Sequence, residues 1–112
     1  MILILNVVID GQMLAIEVPQ EAVNSASELF DKMDADMSKG WTIGKDFVAN
    51  PDQLQRCQIV ADKLLTAIDM ENEKMKTMMA AYILARVPNV MTVHIDNNGE
   101  LHETVLDLAP TE

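Results

Sequence analysis

The chain has 112 residues, with 18 Asp and Glu against 8 Lys and Arg and a formal net charge of −10. That length suits one domain, residues 1–112, with a core that needs no metal or disulfide staple, and a content of 49% hydrophobic and 23% charged residues is that of a globular protein rather than a disordered one. The acidity excludes the basic footprint that nucleic acid or an anionic membrane surface demands. The lone Cys57 excludes an internal disulfide, and the apolar start Met1 to Leu5 is too short for a membrane span and lacks the basic flank of a signal peptide, so a cytoplasmic location is expected.

Residues 2–18 read as a β-hairpin, because Asp10-Gly11 suits a two-residue type I′ turn. That turn pairs Ile9 with Gln12, Val7 with Leu14, Leu5 with Ile16 and Leu3 with Val18. One face is then apolar without a break (Leu3, Leu5, Val7, Ile9, Leu14, Ile16, Val18) and should pack on the core. The other carries Ile2, Ile4, Asn6, Val8, Met13, Ala15 and Glu17, too apolar to be left fully wet. After Pro19 a helix is expected from about Gln20 to Ser38, since Ala22, Val23, Ala26, Leu29, Phe30, Met33 and Met37 recur at spacings of 3 and 4. Gly40 suits its C-terminal end. The connection 40–50 has no period and holds Trp41 and Phe47, which are expected to anchor it against the helices while Gly44, Lys45 and Asp46 stay exposed.

Asn50-Pro51-Asp52 has the order of a helix start: N-cap, Pro at the first position, an acid in the first turn. No Gly or Pro follows until Val87-Pro88. A single helix of about 36 residues would be about 54 Å long, too long for a compact domain of this size, so a break is expected near Asp69 to Asn72; a continuous helix would instead imply a dimer packed along it. Val90 to about Asp107 reads as a second hairpin. A two-residue Asn98-Gly99 turn would pair Ile95 with His102. A three-residue loop with a left-handed Gly99 would pair Ile95 with Leu101, His94 with His102, Thr92 with Thr104 and Met91 with Val105; it separates the faces better and is preferred. Residues 109–112 should fray. The expected fold is α+β, in the order ββαααββ: both hairpins in one antiparallel sheet, two or three helices on one face.

Chemistry-bearing patterns are few. His94 opposite His102, with Asp96 and Glu100 beside them, is the one arrangement that resembles a metal site, but two ligands on a wet hairpin fall short of the three or four that zinc takes, so neither a metal nor any cofactor is expected. The acids Asp34 and Asp36 fail the EF-hand pattern, with Lys45 where a bidentate Glu is needed, and read as the solvated end of the first helix. Cys57 lies on an apolar helical stripe beside Arg56 and reads as a buried small hydrophobe. Nine methionines are many for this length, and Met70, Met75, Met78, Met79 and Met91 with Met33 and Met37 suit an adaptable groove.

Met33 to Trp41, then Asn50-Pro51 and Gln55 to Leu65, resemble a group of short uncharacterised proteobacterial proteins over about residues 29–88. The resemblance implies no activity and carries no site residue. The residues therefore point to a non-catalytic cytoplasmic protein that works by protein–protein contact, with itself as homodimer partner, through Ile4, Val8, Met13, Trp41, Met75 and Met79. The alternative is a ligand- or metal-binding enzyme subunit with a site near Trp41, Asp46 and Arg56 or at His94 and His102.

Overall fold

Asp10 and Gly11 both take positive φ, 52° and 79°, as a type I′ turn requires. They close a hairpin of β1 (Ile2–Ile9) and β2 (Gln12–Pro19) in the expected register, Ile9 opposite Gln12 through Leu3 opposite Val18. The computed structural model describes residues 1–43, 45–98 and 100–109. Helices α1 (Gln20–Ser25), α2 (Ser27–Met37), α3 (Gln53–Asp69) and α4 (Glu73–Arg86) follow, with a small hairpin of β3 (Trp41–Ile43) and β4 (Asp46–Val48) between α2 and α3. The chain ends on β5 (Val90–Ile95), a 3₁₀ turn at Leu101–Glu103 and β6 (Val105–Leu108). No described helix is long and apolar enough to cross a membrane.

The fold is α+β, and both terminal strand pairs share one sheet, in the order β2-β1-β5-β6. The sheet is mixed rather than antiparallel throughout, because β1 and β5 run parallel, Asn6 beside Thr92 and Ile9 beside Ile95. The four helices supply the long crossover that a parallel pair needs. They cover one face of the sheet, where Leu5, Val7, Ile16, Val18 and Val93 meet Phe30, Leu64, Tyr82 and Ile83 in one buried core. Leu14 belongs to that face but stays 41% exposed. It sits on the outer strand beside a cleft of about 220 Å³, where Ala67 and Ile68 stand off from it.

The expected first helix is two, interrupted at Ala26 (φ −97°, ψ 17°). Just before the interruption the Ser25 hydroxyl donates to the Glu21 carbonyl at 2.6 Å, a back-bond that bends helices. The expected break near Asp69–Asn72 is present: Glu71 takes φ 55°, and the Asn72 side chain accepts the Met75 amide at 3.1 Å to start α4. The molecule is 38 Å along its longest axis, well short of a 36-residue rod. The N-cap of α3 is Asp52 rather than Asn50; Asp52 and Gln55 form a reciprocal capping box, and Asn50 takes φ 62° as the chain turns into it. Where a loop was expected, β3 and β4 pair antiparallel, with Trp41 opposite Val48. Trp41 is half-buried against the core, whereas Phe47 is 66% exposed and rests on Gly40 instead of on the helices. A methyl group at Gly40 (φ 107°) would lie 2.1 Å from Phe47 Cζ, so the contact needs glycine. Lys45 and Asp46 are exposed; Gly44 lies outside the described residues.

Neither expected register of the C-terminal pair is observed. His94 lies opposite Val105 and Thr92 opposite Asp107, joined by a connection at 96–104. The preferred reading turned on a left-handed Gly99, which lies outside the described residues. Two pulls lengthen the connection. Asp96 accepts the Asn98 and Glu100 amides at 3.1 and 2.9 Å, and buried Gln58 on α3 donates to the carbonyls of His102 (3.3 Å) and Thr104 (3.0 Å), holding 102–104 against α3 instead of in the sheet. The tail begins tied, since the Ala109 amide donates to Asn89 O at 2.7 Å; residues 110–112 of the expected frayed end lie outside the described residues.

Candidate functional site

The densest polar constellation surrounds Asp34. One turn before the end of α2 its carboxylate turns inward, accepts the Tyr82 hydroxyl, and is flanked by Arg86 (Nη2 2.9 Å, Nε 3.0 Å) and Arg56 (Nη1 3.3 Å). Arg56 also donates to Ser38 Oγ, Asn50 Oδ1 and Pro51 O, and Arg86 reaches Asp31. Sequence reasoning placed Asp34 at a solvated helix end; its turn inward is decided by α3 and α4, each of which brings one arginine. Helical spacing carries the one local signal: Asp34 falls four residues after Phe30 and three before Met37, on the buried stripe that exposed Asp36 misses.

Cys57 and Tyr82 lie beneath this cluster, both fully buried. Burial pushes the Cys57 thiol up to about 11, against a weaker opposing hydrogen bond from Gln53. Burial also raises the Tyr82 phenol, which Asp34 reinforces by accepting a hydrogen bond from it and by its negative charge. Both groups are held neutral, the reverse of what a nucleophile needs. Each has a raised folded-state value, so its contribution to stability is complete below its unfolded value and is lost as pH climbs through the folded one. The melting temperature is therefore expected to fall as pH rises from about 9 to about 11, and Cys57→Ala should flatten part of that fall. An identical alkaline profile for the variant would show that the thiol has no share in it.

The two histidines are not brought together. His94, on the sheet, pairs with Asp107 at 2.5 Å. His102, on the 3₁₀ turn, lies 3.6 Å from Glu100 and 3.9 Å from Glu103, at the rim of an open bowl of about 650 Å³ that Asp46 and Gln55 also line. Among the described residues no three His, Cys, Asp or Glu side chains converge as a metal would need. Trp41, Asp46 and Arg56 are likewise apart in role: Trp41 walls a different cleft, Asp46 lines the bowl, and Arg56 is taken up by the Asp34 cluster.

Two apolar surfaces remain. The first is a cleft of about 250 Å³ between α2 and α4, where Met33, Met37, Met75 and Met79 meet Leu29 and Trp41. It brings together Trp41, Met75 and Met79 of the expected contact residues and adds Lys63 of α3, which sequence reasoning missed. The second is the face of the sheet turned away from the helices. Ile4 and Met13 are 53% and 64% exposed there, Ile2 and Val105 more than half exposed, and Val8 half-buried among them. Met70 and Met91 are exposed and do not line the cleft, Met91 lying at a register shift in β5.

No protein-family model, curated protein or solved structure gives a significant match to this chain.

Proposed function

We propose that this chain is a small, non-catalytic cytoplasmic protein that acts through protein–protein contact, and that the open face of its sheet joins two copies as a homodimer. The observation that carries this reading is one-sided cover. Every described helix that packs on the four-stranded sheet does so from one side, and the other side presents Ile2, Ile4, Met13 and Val105, each more than half exposed. A sheet face that stays wet is normally polar at such positions, and exposed apolar side chains gathered on one face, here interleaved with Asn6, Thr92 and His94, suit a contact surface. Charge limits where a second copy can dock. Two chains at −10 repel, so they can share only a face poor in charge; this one carries Glu17 and Asp107, the latter already paired with His94.

An enzyme-subunit reading has less support. The polar groups that converge, around Asp34, are engaged with one another, and the thiol and phenol beside them are held protonated. Sedimentation velocity over a range of concentrations tests the dimer. The wild-type chain should sediment as a dimer and the double variant Ile4→Asp with Met13→Asp as a monomer. The variant should melt with a separation from wild type that shrinks on dilution, because both side chains are exposed in the single chain. A wild-type monomer at the highest attainable concentration, or a dimer that survives both substitutions, would refute the reading.

A further inference from the structure

We infer that the cleft between α2 and α4 is a binding site for a small unbranched apolar monocarboxylate, its chain lying against the methionines and its carboxylate on Lys63. The cleft differs from the sheet face in being concave and in carrying a lysine, Lys63, at its rim. Its floor is buried Met37 and Met79, and half-buried Met33, Met75 and Trp41 form its walls. Thioether side chains are unbranched and polarizable, so they reshape around an alkyl chain at little cost.

The shape selects a chain over a ring. A second, shallower cleft of about 270 Å³ shares Leu29, Met75 and Met79 with the first and continues past Met78 to Lys74. The two together make a trough rather than a round cavity. At about 250 Å³ the deeper part lies just below the usual range of ligand pockets, roughly 300–1,000 Å³, which limits the occupant to a short chain.

Charge selects the headgroup. Lys63 Nζ sits 5.0 Å from the centroid of the Trp41 ring, held at the rim by cation–π attraction, and makes no ion pair among the described residues. Asp36, the acid on the same rim, faces Lys39 at 3.8 Å. Lys63 is thus a cation placed beside apolar surface with its donors unspent, which is the requirement for capturing a carboxylate.

The test uses the full chain with methyl-¹³C methionine, titrated separately with octanoate, octanol and octylammonium below their micellar concentrations. Octanoate should shift the Met33, Met75 and Met79 methyl resonances saturably and change the emission of Trp41, the one tryptophan in the chain. Octanol should bind about tenfold more weakly, the loss expected for one charge-assisted hydrogen bond. Lys63→Gln should bring octanoate down to the level of octanol and leave octanol unchanged; where that variant does not fold, the wild-type ranking of the three ligands decides. Absence of saturable shifts, octylammonium or octanol binding as tightly as octanoate, or an undiminished octanoate preference in Lys63→Gln would each overturn the inference. The Ile4→Asp, Met13→Asp variant should bind octanoate like wild type, so the fate of this site is separable from that of the dimer.

Discussion

Asp34→Ala is expected to be among the most damaging single changes in the protein, costing about 3 kcal/mol. The carboxylate is shared by Arg56, Arg86 and the Tyr82 hydroxyl. Its removal leaves the Arg56 guanidinium, 17% exposed, with no counter-charge, and Arg86, 24% exposed, with only the peripheral Asp31. Removing one member of a buried ion pair typically costs about 3–5 kcal/mol; the lower end applies here because the Asp34 side chain is itself 22% exposed and water can partly replace it. Arg86 keeps its ring stacking on Tyr82 and Phe30, at 5.5 and 5.8 Å, and a pair with Asp31, so the cluster loosens rather than dissolving. Thermal denaturation at neutral pH should show a drop of about 12 °C or more for a domain of this size. Asp34→Asn should recover part of it by accepting from Tyr82. A melting temperature within a few degrees of wild type for Asp34→Ala would mean that the two arginines find other partners and that the cluster does not brace α2 against α3 and α4.

Leu5→Ala should cost about 2–5 kcal/mol, while Ile4→Ala, one residue away, should cost less than about 1 kcal/mol in the single chain. Leu5 is completely buried and Ile4 is 53% exposed, although both lie in the middle of β1 and both are apolar. The difference arises from the pleat. Alternate side chains point to opposite faces, and only the face of Leu5 meets the helices, where truncation opens a cavity that the packed core cannot refill. Chemical denaturation of both variants, at concentrations low enough to hold the chain monomeric, measures the contrast directly. Equal losses would mean that the outer face of the sheet is covered in the single chain.

These contrasts mark where local sequence is sufficient. The first hairpin was legible to the residue, because a type I′ turn at Asp10-Gly11 fixes register and register fixes which side chains are inward. The helix break at Asp69–Asn72 was legible from a run of polar residues between two apolar stripes, since a helix without an apolar stripe there has nothing to pack. The outward apolar positions Ile4, Val8 and Met13 followed from the same alternation. Where several short-range signals competed, local reading failed: Asn50-Pro51 outranked Asp52 as a helix start until the capping box with Gln55 formed, and Ala26 carries no breaking signal at all.

What the sequence by itself determined, then, is the α+β class, the terminal strand pairs, the break between the two long helices, and the register of the first hairpin with its inward face. Each of these depends on interactions within a few residues of chain. What only the tertiary structure decided is which elements meet. The parallel seating of β5 beside β1 places β5 in the sheet centre and β6 at its edge, and Gln58, 44 residues distant in sequence, takes the carbonyl of His102 and so separates the two histidines that the local pattern had opposed. The Asp34 cluster spans 52 residues to Arg86, and the methionine cleft draws on α2, α3, α4 and β3 together. Pairings of this kind are selected by packing of whole faces against one another, a choice that carries no signature in any single stretch of residues.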